Sequence, residues 1–124
     1  EMLHIDFTEP YDRQLRQRLL DIAEAQGVAH APAGVHGVMQ GPRLETAAEI
    51  RRMAGDGCDL VGMTGMPEAA LAREMGLAYA SVCMVVNAAA GLSDEPLTLE
   101  AMKATLESEA AVVRKLLAAV AASY

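Results

Sequence analysis

Apolar and polar positions alternate along this chain in two rhythms. From Pro10 to about Gln26, Leu15, Leu19 and Ile22 recur at helical spacing opposite a mixed-sign face of Asp12, Arg13, Arg16, Arg18 and Asp21, and Gly27 stops the run. Two short β segments are predicted next, at about Ala29 to Ala31 and Val35 to Gln40, interrupted by Pro32, Gly34 and Gly37. Gly41-Pro42 is a turn signal. Thr46 to Met53 reads as a short helix with Ala48, Ile50 and Met53 as its apolar positions, ended by Gly55 and Gly57. The stretch from Gly57 to Gly91 reads strand, loop, helix, strand, loop. A short apolar strand, Cys58 to Gly62, runs into Met63-Thr64-Gly65. Pro67 opens a helix that Gly76 closes, and a longer apolar run, Leu77 to Val86, ends at Asn87. Continuous apolar strands around an amphipathic helix predict a parallel βαβ unit with both sheet faces covered. After the polar loop LSDEPLT, a terminal helix is predicted from Leu99 to Ala122. Thr98 is its N-cap, and Leu99, Met102, Leu106, Val113, Leu117 and Val120 form its buried stripe.

The fold class is therefore α/β. Its 124 residues allow one domain, and no interior linker divides residues 1–124. Hydrophobic residues make up 52% of the chain, yet there is one Phe, three Tyr and no Trp, so Ala, Leu, Val and eight Met must fill the core. The net charge of −7, without a Lys or Arg run, lacks the basic footprint of a nucleic-acid binder. The apolar runs are too short to cross a bilayer, and no secretory signal pattern opens the sequence. Cys58 and Cys83 both fall in predicted buried strands, which favours reduced thiols in the cytoplasm. The sequence opens at Glu1 without an initiator Met, and a longer polypeptide is expected.

In parallel sheets ligands bind where strand C-termini meet their loops, which singles out Met63, Thr64 and Asn87. Neither a Gly-x-Gly-x-x-Gly after the first strand nor a Walker-type Gly-Lys-Ser/Thr is present. The three His, at positions 4, 30 and 36, and the two Cys lack metal-ligand spacing. Thr64 has no adjacent His or Lys base, so its hydroxyl suits holding an anion better than nucleophilic attack. The residues alone leave two readings open at each position. Thr64 is a ligand contact or a loop-capping hydroxyl, and Asn87 is a ligand contact or a turn residue.

Several stretches together resemble the C-terminal half of the trimeric purine nucleoside phosphorylase and methylthioadenosine phosphorylase family. They are His4-Ile5 through Glu9-Pro10, Gly41-Pro42-Arg43-Leu44-Glu45-Thr46 with Ala48-Glu49, Gly62-Met63-Thr64 with Met66-Pro67-Glu68, and Val85-Val86-Asn87. The likeness is greatest to the bacterial branch that acts on methylthioinosine. It implies part of a mixed, mostly parallel sheet flanked by helices, incomplete without an N-terminal half. It also implies phosphorolysis of a purine nucleoside, with phosphate as co-substrate, no metal or organic cofactor, and a homotrimer.

By the same resemblance Met63 packs against the ribose and Thr64 offers its hydroxyl to phosphate. Leu44 stands where the family usually has Phe beside the base. Asn87 and Ala89 replace the Asp pair of the enzymes for 6-aminopurines. An amide donates to O6 and accepts from N7–H, as a carboxylate cannot. Glu45 matches the Glu that accepts from N1–H of 6-oxopurines, or else serves as an acid near a helix N-terminus. No His follows His36 to bind a 5′ hydroxyl. Leu99 and Met102 suit a methylthio group instead, with His4 reaching the site from a neighbouring subunit. Leu99 and Met102 fit the helix core stripe equally well. The family's phosphate loop and Arg-His pair lie in the N-terminal half, so a companion polypeptide is expected. Ordinary inosine/guanosine or methylthioadenosine phosphorylase is the nearest alternative. A receiver-like signalling module would need an acidic cluster after its first strand, which is absent here.

Overall fold

The computed structural model describes residues 4–94, 96 and 98–124. Glu1 to Leu3, and Glu95 and Leu97 of the loop before the terminal helix, lie outside the described residues. The elements run α1 (Arg13–Ala25), β1 (His36–Val38), α2 (Ala47–Gly55), β2 (Leu60–Gly62), α3 (Glu68–Glu74) and α4 (Leu99–Ala121). β1 and β2 pair in parallel, with His36 opposite Leu60 and Val38 opposite Gly62. Among the described residues no helix is long and apolar enough to cross a membrane.

α1, α2 and α4 begin where side-chain acceptors satisfy their first free N–H groups. Asp12 caps α1 by accepting from the Leu15 N–H at 2.7 Å, so the helix starts just beyond Pro10. Thr98 caps α4 by accepting from Ala101. At α2, Thr46 and Glu49 form a reciprocal capping box, each side chain accepting from the other's backbone N–H. Gly27 and Gly76 follow α1 and α3 as predicted.

The core is small and built mainly of small side chains. Ala23 of α1, Ile50 and Met53 of α2, Ala69 and Ala72 of α3, and Leu116 and Val120 of α4 are buried. α1 packs against α4, and Arg18 fastens the end of that pair. Its guanidinium lies 4.3 Å from the centre of the Tyr124 ring and donates to the Ser123 carbonyl.

Several sequence expectations change. Residues 77–86 form no strand. Their apolar run is extended chain, and residues 80–86 make no backbone–backbone hydrogen bond among the described residues. A strand exists only through its ladder, and this run has no partner here. Ala29 to Ala31 is likewise unpaired, ending at Pro32, which has no N–H to give. The buried stripe of α4 is rotated from the predicted one. Leu116 and Val120 are buried and Met102 and Val113 half-buried, while Leu99, Leu106 and Leu117 are exposed. Periodicity marks an apolar helix, but the neighbour, α1, decides which side is covered. Ala48 of α2 is also exposed. Cys83 is exposed and Cys58 half-buried, and both thiols are free.

Candidate active site

Three loops meet at one edge of the β1–β2 pair. The Met39 N–H donates to the Gly62 carbonyl at 2.8 Å, so the two parallel strands end side by side. The loop after β1 carries Gly41 to Thr46, and the loop after β2 carries Met63 to Gly65. They touch where Gly41 faces Met63: a Cβ on Gly41 would stand 2.6 Å from the Met63 Sδ. The third loop, Asn87 to Gly91, reaches the N-terminus of α2. There a Cβ on Gly91 would come within 2.7 Å of the Ala47 Cβ. Leu44 and Glu45 therefore lie between two fixed contacts, one to Met63 and one to the Asn87 loop. Both glycines also hold positive φ, 61° and 79°, which side chains resist. Gly91→Ala should destabilise the fold by about 1–3 kcal/mol through overpacking alone, read as a lower denaturant midpoint.

The segment leading to Asn87 is held beside β1 by His36. The Cys83 Sγ lies 4.0 Å from the His36 Nδ1, and the Ser81 hydroxyl is 3.4 Å from that sulfur. On its other side the imidazole lies over Gly62, where a Cβ would meet Nε2 at 2.8 Å, and beside Gly65. His36 thus supports the loops of both Thr64 and Asn87. Its place at the start of β1 carried no sequence signal of that role.

The chemistry at this edge is a set of unsatisfied polar groups. The Glu45 Oε1 is buried and has no hydrogen-bond partner among the described residues. Asn87 is half-buried and donates one N–H to the Ala88 carbonyl at 2.7 Å. Its second N–H and its Oδ1 have no partner among the described residues. Thr64 is exposed, and its hydroxyl has no partner among the described residues. Met63 and Ala89 are half-buried, and Leu44 is exposed. Buried polar groups normally find partners, so the orphaned Glu45 oxygen suits a ligand donor, and the part-used Asn87 amide suits a ligand that can accept and donate.

The remaining predicted residues are not joined to this cluster. Leu99 is 74% exposed at the first turn of α4. Met102 is half-buried on the same helix. His4 is exposed, and no hydrogen bond or ion pair among the described residues ties it to the loops. A cleft of about 580 Å³ lies elsewhere, between α1, α4 and the extended segment. Leu19, Val28, Val82, Val85, Val112 and Leu116 are among its walls, and no predicted site residue lines it. Its lining is mostly apolar.

One feature of the edge escaped sequence reasoning. The Arg43 guanidinium grips the Glu49 carboxylate with two parallel bonds of 2.9 and 2.8 Å. This grip, with the Thr46 N–H, holds the Glu49 carboxyl well below its ordinary value of 4.5, at about 2. A depressed carboxyl stabilises the fold above its unfolded value and loses that contribution as pH falls through its folded one. The pair should therefore persist at neutral pH and weaken between pH 4.5 and about 2. A carbon-13 titration of the Glu49 carboxyl should show that low midpoint. The Thr46-x-x-Glu49 spacing was the available signal.

Residues 2–122 match the phosphorylase superfamily, to which the chain belongs. It is 51% identical over 120 residues to a protein of Pseudomonas syringae pv. tomato named "Probable S-methyl-5′-thioinosine phosphorylase", covering 97% of this chain and 49% of the relative. It is 53% identical over 95 residues to a "Probable 6-oxopurine nucleoside phosphorylase" of Thermococcus kodakarensis, covering 77% of this chain and 36% of that protein. Among solved structures, methylthioadenosine phosphorylase from Schistosoma mansoni in complex with adenine superposes with a TM-score of 0.90 at 28% identity, covering 98% of this chain and 48% of that one. The chain thus spans about half the length of the relatives it matches.

Proposed function

We propose that residues 1–124 form the C-terminal portion of a single phosphorylase domain that cleaves S-methyl-5′-thioinosine with phosphate, giving hypoxanthine and 5-methylthioribose 1-phosphate. The observation that carries the reading is the pair of unsatisfied groups at the loop edge. The Glu45 Oε1 is a buried acceptor without a donor, and Asn87 keeps both an N–H and an oxygen free. A 6-oxopurine offers the complement: N1–H to Glu45, O6 to the Asn87 N–H, and, once the departing base takes up a proton there, N7–H to the Asn87 oxygen.

In the reaction a phosphate oxygen bonds to C1′ while the bond from C1′ to the purine nitrogen breaks and its electron pair leaves with the base, which takes up a proton from solvent at N7 and departs as neutral hypoxanthine. The protein's task is to hold both reactants in line and stabilise the charge that develops on the purine. Asn87 does the latter by donating to O6. Thr64 donates its hydroxyl to phosphate, Met63 packs on the ribose, and Leu44 and Ala89 line the base. No step calls for a metal or organic cofactor.

The remaining phosphate ligands come from an N-terminal half, a companion polypeptide that supplies the missing sheet partners. The extended, unpaired residues 80–86 and the apolar cleft beside them support this reading, since both are surfaces a strand and its helix would cover. The assembly is a homotrimer in the cytoplasm, with Leu99, Met102 and the neighbouring subunit's copy of residue 4 around the methylthio group. The exposure of Leu99 and His4 accords with sites completed across subunits. Inosine is the second reading, supported by the 6-oxopurine name of the Thermococcus relative.

The test is the assembled enzyme supplied with S-methyl-5′-thioinosine, with and without phosphate, alongside denaturing intact-mass measurement. Phosphate-dependent release of hypoxanthine, from material containing a second chain of comparable mass, is the expected result. Turnover that ignores phosphate would refute the reading.

A further inference from the structure

We infer that Arg43 and Glu49 are positioning residues that set the base selectivity of Glu45, an inference that rests on the nucleoside reading above. Glu49 lies outside the loop and touches no proposed substrate position. Its carboxylate nevertheless ties both ends of the loop together. Arg43 grips it from one side, and the Thr46 N–H donates to its Oε2 at 2.7 Å from the other. The same Arg43 Nη1 donates to the Leu44 carbonyl at 3.1 Å.

The consequence lies in the two peptide units that flank Glu45. The carbonyl of the Leu44–Glu45 peptide is held by Arg43, and the N–H of the Glu45–Thr46 peptide is held by Glu49. With both units fixed, the backbone rotations on either side of the Glu45 Cα are fixed too. Its side chain is thereby presented from a rigid base, although none of its own atoms makes a hydrogen bond. That arrangement matters because the Glu45 Oε1 is buried and unpartnered. A free carboxyl oxygen on a loose loop would turn toward water, whereas a clamped one stays aimed at the purine edge. Lys at position 43 would not replace Arg, because a single ammonium cannot hold both Glu49 oxygens and the Leu44 carbonyl in one plane.

Arg43→Met is the decisive variant, because it leaves both partners of the Thr46–Glu49 cap chemically intact. Two quantities are read on the assembled enzyme: hydrogen exchange at the Thr46 amide, and the ratio of kcat/KM for S-methyl-5′-thioinosine over S-methyl-5′-thioadenosine. The amide should exchange faster while α1 stays protected. The ratio should fall by about ten-fold, within the roughly 10²-fold that a misplacement of about 1 Å can cost. Arg43→Lys should recover little of the ratio, and Glu49→Gln, which keeps an acceptor for Thr46, should lie between wild type and Glu49→Ala. A merely structural role would lower both rates together and leave the ratio unmoved. Unchanged exchange at Thr46 overturns the clamp, even if wild type proves to have no phosphorolytic activity. Faster exchange with an unchanged ratio in an active wild type overturns its role in selectivity. Absent wild-type turnover refutes the nucleoside reading separately, and the exchange arm still decides whether the clamp exists.

Discussion

Replacing Asn87 with Asp should cut kcat/KM for S-methyl-5′-thioinosine by about 10²–10³-fold, the usual cost of losing one donor to a developing negative charge. The substitution changes little in volume and much in polarity. The amide gives the O6 side of a 6-oxopurine an N–H, and a carboxylate gives it only acceptor oxygens. Repulsion then replaces a hydrogen bond at the atom that gains charge as the base departs. A second effect arises inside the loop. The Asn87 Nδ2 donates to the Ala88 carbonyl at 2.7 Å, and an ionised carboxylate there would face that carbonyl with no proton between them. The new side chain must rotate away or take up a proton, so the loss should grow as pH rises. With S-methyl-5′-thioadenosine the sign reverses, because the exocyclic amino group is a donor that a carboxylate accepts. Initial rates on both nucleosides across a pH series would measure both trends.

Glu45→Gln should separate activity from stability. The wild-type Oε1 is buried with no donor, an arrangement that costs stability in the free protein. An amide of the same shape removes the carboxyl at little steric cost, so the unfolding midpoint should hold or rise. Catalysis should move the other way. With its amide nitrogen toward N1–H the variant opposes donor to donor, and with its oxygen there it is only a weaker acceptor. A fall of about 10²-fold in kcat/KM is expected, the scale seen when a site loses the partner of a specific polar group. Denaturation together with rates on S-methyl-5′-thioinosine would test the two halves of this prediction. Loss of stability in parallel with activity would place Glu45 in the architecture of α2 instead.

The stretches that carry both side chains stand out in the sequence because their signals are local. Glu45 sits in the Gly41 to Thr46 stretch, and Asn87 ends an apolar run beside Val85-Val86. Helices were legible for similar reasons. Thr98 caps α4 and Gly76 follows α3, and neither signal needs a distant partner. What depended on distant partners was not legible. The run from Leu77 to Val86 has the composition of a strand, but composition does not supply the chain it pairs with. Leu106 and Leu117 follow helical spacing as well as Leu116 does. Only α1, packed along one side of α4, determines that Leu116 is buried while the other two are exposed.

The site shows the same division. Met63 and Thr64 follow directly from the end of β2. Arg43's grip on Glu49 closes across a loop, and the support His36 gives to Gly62 and Cys83 crosses between elements. Neither can be read from one segment at a time. The N-terminal half proposed here would add the last partners, covering the cleft and pairing with the extended segment.

The most direct test of the account compares S-methyl-5′-thioinosine with S-methyl-5′-thioadenosine, each with phosphate, on the assembled enzyme. Two mismatched positions at roughly 1–3 kcal/mol each predict a preference for the thioinosine of about 10²-fold or more. Equal rates, or faster release of adenine, would contradict the roles assigned to Asn87 and Glu45 and with them the choice of a 6-oxopurine.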